Sequence, residues 1–114
     1  MAGGLDGSLG DAGPATVCGN PAEARIRVKD KQYNNECGCV EADGPLCTIP
    51  VGTEVVWLFV DGTEHNVQSV ADSFGVSDDL VAGRFRHTFD TLGRFEYRCS
   101  LHANAMSGYA IEVR

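Results

Sequence analysis

The chain has 114 residues and a formal net charge of −7, which is enough length for one domain with a single core. An acidic balance of that size argues against nucleic acid and anionic membrane surfaces as partners and favours a basic one. The longest apolar run, Val55 to Val60, is far short of a helix that could cross a bilayer, so no membrane span is expected.

In chain order, residues 1–16 are rich in Gly and poor in apolar side chains and read as a flexible leader. They carry neither a basic n-region nor an apolar h-region, so they do not read as a signal peptide. Either the protein is cytosolic, or an export signal or anchor is absent from this sequence. Residues 17–114 are expected to form the folded domain. Ala24 to Val28 alternates, with Ile26 and Val28 against Arg25 and Arg27, and predicts a half-buried strand. Lys29 to Pro45 is polar and reads as a long irregular loop with a short strand near Cys39 and Val40. Ile49-Pro50-Val51-Gly52 predicts a turn, and Thr53 to Val60, β-branched and aromatic, a buried strand.

A turn at Asp61-Gly62-Thr63 precedes an expected strand from His65 to Val70. Ala71 to Gly83 reads as an acidic loop with at most one helical turn. Arg84 to Phe89 alternates strictly, Asp90 to Gly93 reads as a hairpin turn, and Arg94 to Cys99 alternates again with Phe95, Tyr97 and Cys99 on one side. Ser107 to Val113 is the last predicted strand. Short alternating strands at near-regular spacing, with no helix of ordinary length, indicate an all-β Greek-key sandwich or barrel.

Five cysteines are present. If Cys99 holds a metal, the even remainder of Cys18, Cys37, Cys39 and Cys47 suggests two disulfides and an oxidising compartment. Cys37 and Cys39 are too close in sequence to be expected to pair. That leaves Cys18–Cys37 with Cys39–Cys47, or Cys18–Cys39 with Cys37–Cys47. A four-thiolate zinc site is the competing reading, but its usual signature is two CxxC pairs, and here there is one CxC and two single cysteines.

The most informative stretch is FEYRCSLHANAMSGYAIEVR, Phe95 to Arg114. It places a thiol, an imidazole and a thioether at Cys99-x2-His102-x3-Met106, where one strand ends and the next begins. Two His, one Cys and a weak, long bond to Met make an electron-transfer copper site. The missing imidazole must come from elsewhere in the chain. His65, at the mouth of a strand after a glycine turn, is the stronger candidate. His87 lies mid-strand in phase with Phe85 and Phe89, which suits a core or boundary histidine satisfied by a hydrogen bond. Taken singly, Met106 suits a gap-filling core residue, Cys99 a small buried hydrophobe and His102 a solvated loop residue. Their coincidence at this spacing in an all-β chain sets those readings aside.

From about Ile49 to Val113 the chain resembles the cupredoxins, the small blue copper proteins, most nearly their plastocyanin, pseudoazurin and halocyanin branch. The segments that carry the resemblance are VGTEVVWLFVDGTEHNV and FRHTFDTLGRFEYRCSLHANAMSGYAIEV, with the HN pair and the CSLH motif. The resemblance implies a cupredoxin-like sandwich of about seven or eight strands. It implies one type 1 copper ion held by His65, Cys99, His102 and, axially, Met106. It also implies an outer tie from Asn66 toward Ser100. One residue fewer stands between His102 and Met106 than in the plastocyanin-like pattern, and the cysteine-rich region before Thr48 is unusual for that branch.

On this reading the protein is a small electron carrier cycling between Cu(I) and Cu(II), not an enzyme. Copper oxidase and nitrite reductase domains place a His directly beside the copper Cys, whereas Cys99 has Arg98 and Ser100 as neighbours. The alternative is a copper carrier or storage protein without an electron-transfer role, although the chain lacks the Met or His clusters expected of one. Phe59, Phe95, Tyr97 and Leu101 are expected to keep the site dry, and His102 to present its ring edge amid Leu101, Ala103 and Ala105. The expected partner is a redox protein met transiently, such as a c-type cytochrome or copper oxidoreductase, steered by Asp72, Asp78 and Asp79. The expected state is a monomer, and the expected location periplasmic or extracytoplasmic.

Overall fold

A computed structural model describes residues 17–102 and 104–114; the leader, residues 1–16, and Ala103 lie outside the described residues. Among the described residues nine strands form, in order β1 (Glu23–Lys29), β2 (Gln32–Cys37), β3 (Glu41–Asp43), β4 (Leu46–Ile49), β5 (Thr53–Phe59), β6 (Gln68–Ser69), β7 (Gly83–Phe89), β8 (Gly93–Arg98) and β9 (Tyr109–Val113). They make two sheets, β2-β1-β5-β7 and β3-β4-β9-β8-β6. The only helical elements among the described residues are two 3-10 turns, Val70–Asp72 and Ser100–His102.

The strand count exceeds the expectation because the polar stretch after Lys29 is not a loop. Asp30 and Lys31 both take positive φ, 57° and 56°. That is the backbone of a two-residue hairpin turn whose twist suits antiparallel strands, and β1 and β2 pair across it from Lys29 opposite Gln32. The usual Asn-Gly or Asp-Gly signal is missing, so the turn is concealed in the sequence. β2 is an edge strand that buries Tyr33 while Gln32, Asn34 and Glu36 face out, and its composition therefore reads as polar.

The core lies between the sheets. β5 is central in its sheet, parallel to β1 and antiparallel to β7. It supplies Val55, Trp57 and Phe59 from alternate positions, all essentially buried. Trp57 is surrounded by rings: Phe74 stacks on it at 5.7 Å, Phe85 lies at 5.6 Å, and Tyr97 meets it edge-on at 5.3 Å from the opposite sheet. Aromatic pairs of this kind add to the area that they bury. From the second sheet come Ile49, Phe95, Tyr97, Ile111 and Val113.

Asp90 to Gly93 does turn, but it is not a hairpin. Phe89 pairs with Thr53 in one sheet, whereas Gly93 pairs with Val113 in the other. Both flanking strands alternate, and alternation alone does not say which sheet a strand joins. The expected strand from His65 to Val70 is reduced to Gln68–Ser69 and a single bridge between His65 and Leu80.

Two disulfides close the N-terminal third, Cys18–Cys37 and Cys39–Cys47, the first of the two expected pairings. Gly38 stands between them at φ 88°, and a Cβ there would sit 2.2 Å from Glu23 O and 2.5 Å from Ala24 Cα. Both neighbours are backbone and cannot swing aside. Gly38→Ala should therefore lower the free energy of unfolding by at least about 2 kcal/mol. The check is urea denaturation with both disulfides intact, and a change of a few tenths would show that the two strands can part there.

Candidate metal centre

Three segments meet at one end of the sandwich. The strand β8 delivers Cys99 one residue past its end, in phase with buried Tyr97, so its side chain points into the core. The chain then tightens into the 3-10 turn Ser100–His102. His102 N donates to Cys99 O at 3.2 Å, and Met106 N and Ala105 N donate to His102 O at 2.8 and 2.9 Å. Cys99 N donates to Met106 O at 3.0 Å and closes the loop on itself. As a result Cys99 Sγ and His102 Nδ1 are 3.5 Å apart. Met106 is fully buried and belongs to the same apolar cluster as Cys99.

His65 arrives from the far side. It follows the Asp61 turn and is held by two backbone bonds with Leu80, at 3.0 and 2.8 Å. Its ring is fully buried, 5.0 Å from that of His102. One ligand atom from each of His65, Cys99 and His102 lies within 4.8 Å of the others. His87 stays apart from this group, half-buried on β7 with its ring edge-on to Phe89 at 4.7 Å.

The two nitrogens of His65 have different surroundings. Nε2 faces Asp61 Oδ2 at 3.2 Å. Burial raises the Asp61 pKa, but donors from Thr63 N, Asp30 N and the His65 ring outweigh it and hold the carboxyl below its usual range. An ionised carboxylate only accepts, so Nε2 carries the proton. In the neutral imidazole that leaves Nδ1 as the lone-pair nitrogen, and this buried atom has no hydrogen-bond partner among the described residues. Such an orphan is costly in a folded protein. Metal-ligating histidines commonly donate their other N–H to a carboxylate in this way. A buried imidazole lone pair, a buried thiol that is the only cysteine outside a disulfide, a second imidazole and a nearby thioether suit a soft first-row metal, copper in particular.

Asn66 ties the two halves of the site together. Its backbone N donates to Cys99 Sγ at 3.4 Å. Its side-chain Oδ1 accepts from Ser100 N at 2.9 Å, and Nδ2 donates to Ser100 Oγ and to Asp79 Oδ1, each at 2.8 Å. Its carbonyl accepts from the Tyr33 hydroxyl. Burial, and then the charge of Cys99 nearby, push the Tyr33 phenol far above its ordinary range, so it remains a donor.

At the surface His102 is half-buried and lines an open depression of about 240 Å³ with Lys31, Leu101, Asn104 and Ala105. Leu101 is 44% exposed, so it belongs to the rim and does not shield the interior. Tyr97 is buried beneath Cys99, while Phe95 lies further down β8 against Phe89 at 5.4 Å. Sequence reasoning passed over Asp61, Tyr33 and Lys31. Asp61 was available as a carboxylate four residues before His65, at a spacing the structure uses; the other two arrive through the concealed hairpin.

No protein-family model matches the chain, and no curated protein matches it by sequence. Solved structures do match. An oxidised methionine-to-leucine variant of amicyanin superposes with a TM-score of 0.62 at 20% identity, covering 79% of this chain and 80% of that one. A methionine-to-glutamine variant of amicyanin with Cu(I) gives 0.61 at 19% identity, covering 82% and 83%. A Cu(I) methionine-to-alanine variant gives 0.60 at 18% identity, covering 89% and 84%. Amicyanin is a cupredoxin, and this chain, an all-β two-sheet sandwich with a His-Cys-His cluster at one end, has the cupredoxin fold.

Proposed function

We propose that the protein is a small one-electron carrier with a single mononuclear copper site. The ligands would be His65, Cys99, His102 and, axially, Met106. The observation that carries this reading is the buried, unpartnered Nδ1 of His65, on a ring that clusters with His102 and with the one cysteine outside a disulfide. When bound, copper supplies a one-electron couple between Cu(I) and Cu(II).

The chain's own contribution is to hold the ligand atoms still and dry. Cys99 and Met106 are anchored to each other through the backbone, and Asn66 cross-ties Ser100 to the segment carrying His65. Ligands fixed before and after an electron moves keep rearrangement small. The Asn66 N–H on Cys99 Sγ withdraws electron density from the sulfur, a way in which outer contacts tune a metal site.

His102 is the natural exit. It is the half-buried member of the ligand set, and Leu101 and Ala105 are exposed beside it. A small apolar rim suits a brief encounter with a redox partner such as a c-type cytochrome or a copper oxidoreductase. Asp72 and Asp78 are exposed and suit steering of a basic partner, whereas Asp79, also exposed, is bonded to Asn66. The two disulfides support a periplasmic or other extracytoplasmic location. A carrier, not an enzyme, is the reading that these features favour.

Adding Cu(II) to the metal-free protein should produce an intense visible thiolate band that ascorbate bleaches, and Cys99→Ala should abolish it. A colourless stoichiometric complex would point instead to copper transport or storage. Met106→Leu should keep copper bound and raise the reduction potential, while His87→Gln should leave the spectrum nearly unchanged. Loss of the band in the His87 variant would show that the wrong imidazole had been chosen. Asp61→Ala removes the acceptor from His65 Nε2 and should weaken copper binding by about 10–100-fold in a chelator competition. An unchanged affinity would mean that the carboxylate does not orient the ring.

A further inference from the structure

The β1–β2 hairpin reaches the metal centre at two points. Asp30 N donates to Asp61 Oδ2 at 3.0 Å, the same oxygen that faces His65 Nε2. Tyr33, on the following strand, donates its hydroxyl to Asn66 O. One contact acts on the ring of His65 through Asp61, and the other on the residue that follows it. Together they bracket the one ligand that is remote in sequence from the Cys99–Met106 loop.

The hairpin is itself firmly held. β1 pairs with β5 up to Val28 opposite Phe59, just before the Asp61 turn, and Cys18–Cys37 closes the far end of β2. The Tyr33 ring is 3% exposed and is gripped edge-on by Tyr97 and Tyr109, both at 4.8 Å. Its reach to Asn66 is therefore set by packing, and the hydroxyl arrives from a fixed point.

We propose that Tyr33 is a positioning residue of the metal centre: its hydroxyl holds the Asn66 backbone so that the Asn66 N–H stays on Cys99 Sγ and the adjoining His65 ring stays in its cluster with Cys99 and His102. The proposal rests on the copper reading for the identity of the ligands. It adds that the disulfide-closed N-terminal third is part of the site. A buried tyrosine that merely needed an acceptor would stabilise the fold and leave the sulfur's surroundings unchanged, and the two roles can be separated.

Tyr33→Phe keeps the ring and removes the hydroxyl. In the metal-free variant the Asn66 amide should shift by NMR and exchange with solvent faster by on the order of tenfold, while amides of β1 and β5 keep their rates. In the copper-loaded variant the thiolate band and the reduction potential should both move. A variant that melts earlier, with Asn66 exchange, visible band and potential all as in the parent, overturns the proposal. Should Tyr33→Phe fail to fold, the parent protein decides. A Tyr33 hydroxyl proton that exchanges slowly with solvent supports the bond, and one that exchanges as fast as an exposed phenol overturns it. A parent that never develops a thiolate–copper band sinks the copper reading, while the metal-free measurements still decide what Tyr33 does.

Discussion

A cluster assembled from segments far apart in the chain has to be held together by the protein itself. Here that task falls to Asn66. Its backbone N reaches Cys99 Sγ, its side chain spans Ser100 and Asp79, and its carbonyl is taken by Tyr33. Each polar atom of this residue has a partner, so its conformation is determined from several directions. A buried network satisfied in this way is stiff, and a half-satisfied one would be a liability.

The sandwich makes that network possible. Tyr97 on β8 and Cys99 just past its end point into the core, and Trp57 from β5 meets Tyr97 across the sheet interface. Cys99 shares one buried cluster with these rings. The opposite wall comes from the turn after β5, where Asp61 accepts from Thr63 N and Asp30 N and faces the His65 ring. The half-buried ring of His102 then stands between this interior and the solvent.

The N-terminal third has a role that its composition conceals. Two disulfides, the tight approach at Gly38 and a two-residue turn at Asp30-Lys31 shape a polar stretch into an edge hairpin. That hairpin brings Asp30 and Tyr33 against the segment that carries His65. Disulfides are common where a small domain needs more than its core to stay folded, and here they also fix the strand that reaches the site.

The sequence by itself determined the all-β class, most of the strands and the Cys99-His102-Met106 loop. Those features are local: period-two alternation in Arg84–Phe89 and Arg94–Cys99 reports one buried face, and Cys99, His102 and Met106 lie within eight residues of chain. It also separated His65 from His87, because a residue after a glycine turn and a residue in phase with Phe85 and Phe89 have different surroundings. Only the tertiary structure decided that Asp90 to Gly93 crosses between sheets, that Cys18 pairs with Cys37, that Leu101 lies on the rim, and that Asp61 and Tyr33 bond to the His65–Asn66 segment. Alternation records that one face is buried but not which sheet does the burying. A hydrogen bond between residues as distant in sequence as Tyr33 and Asn66 leaves no local pattern to read.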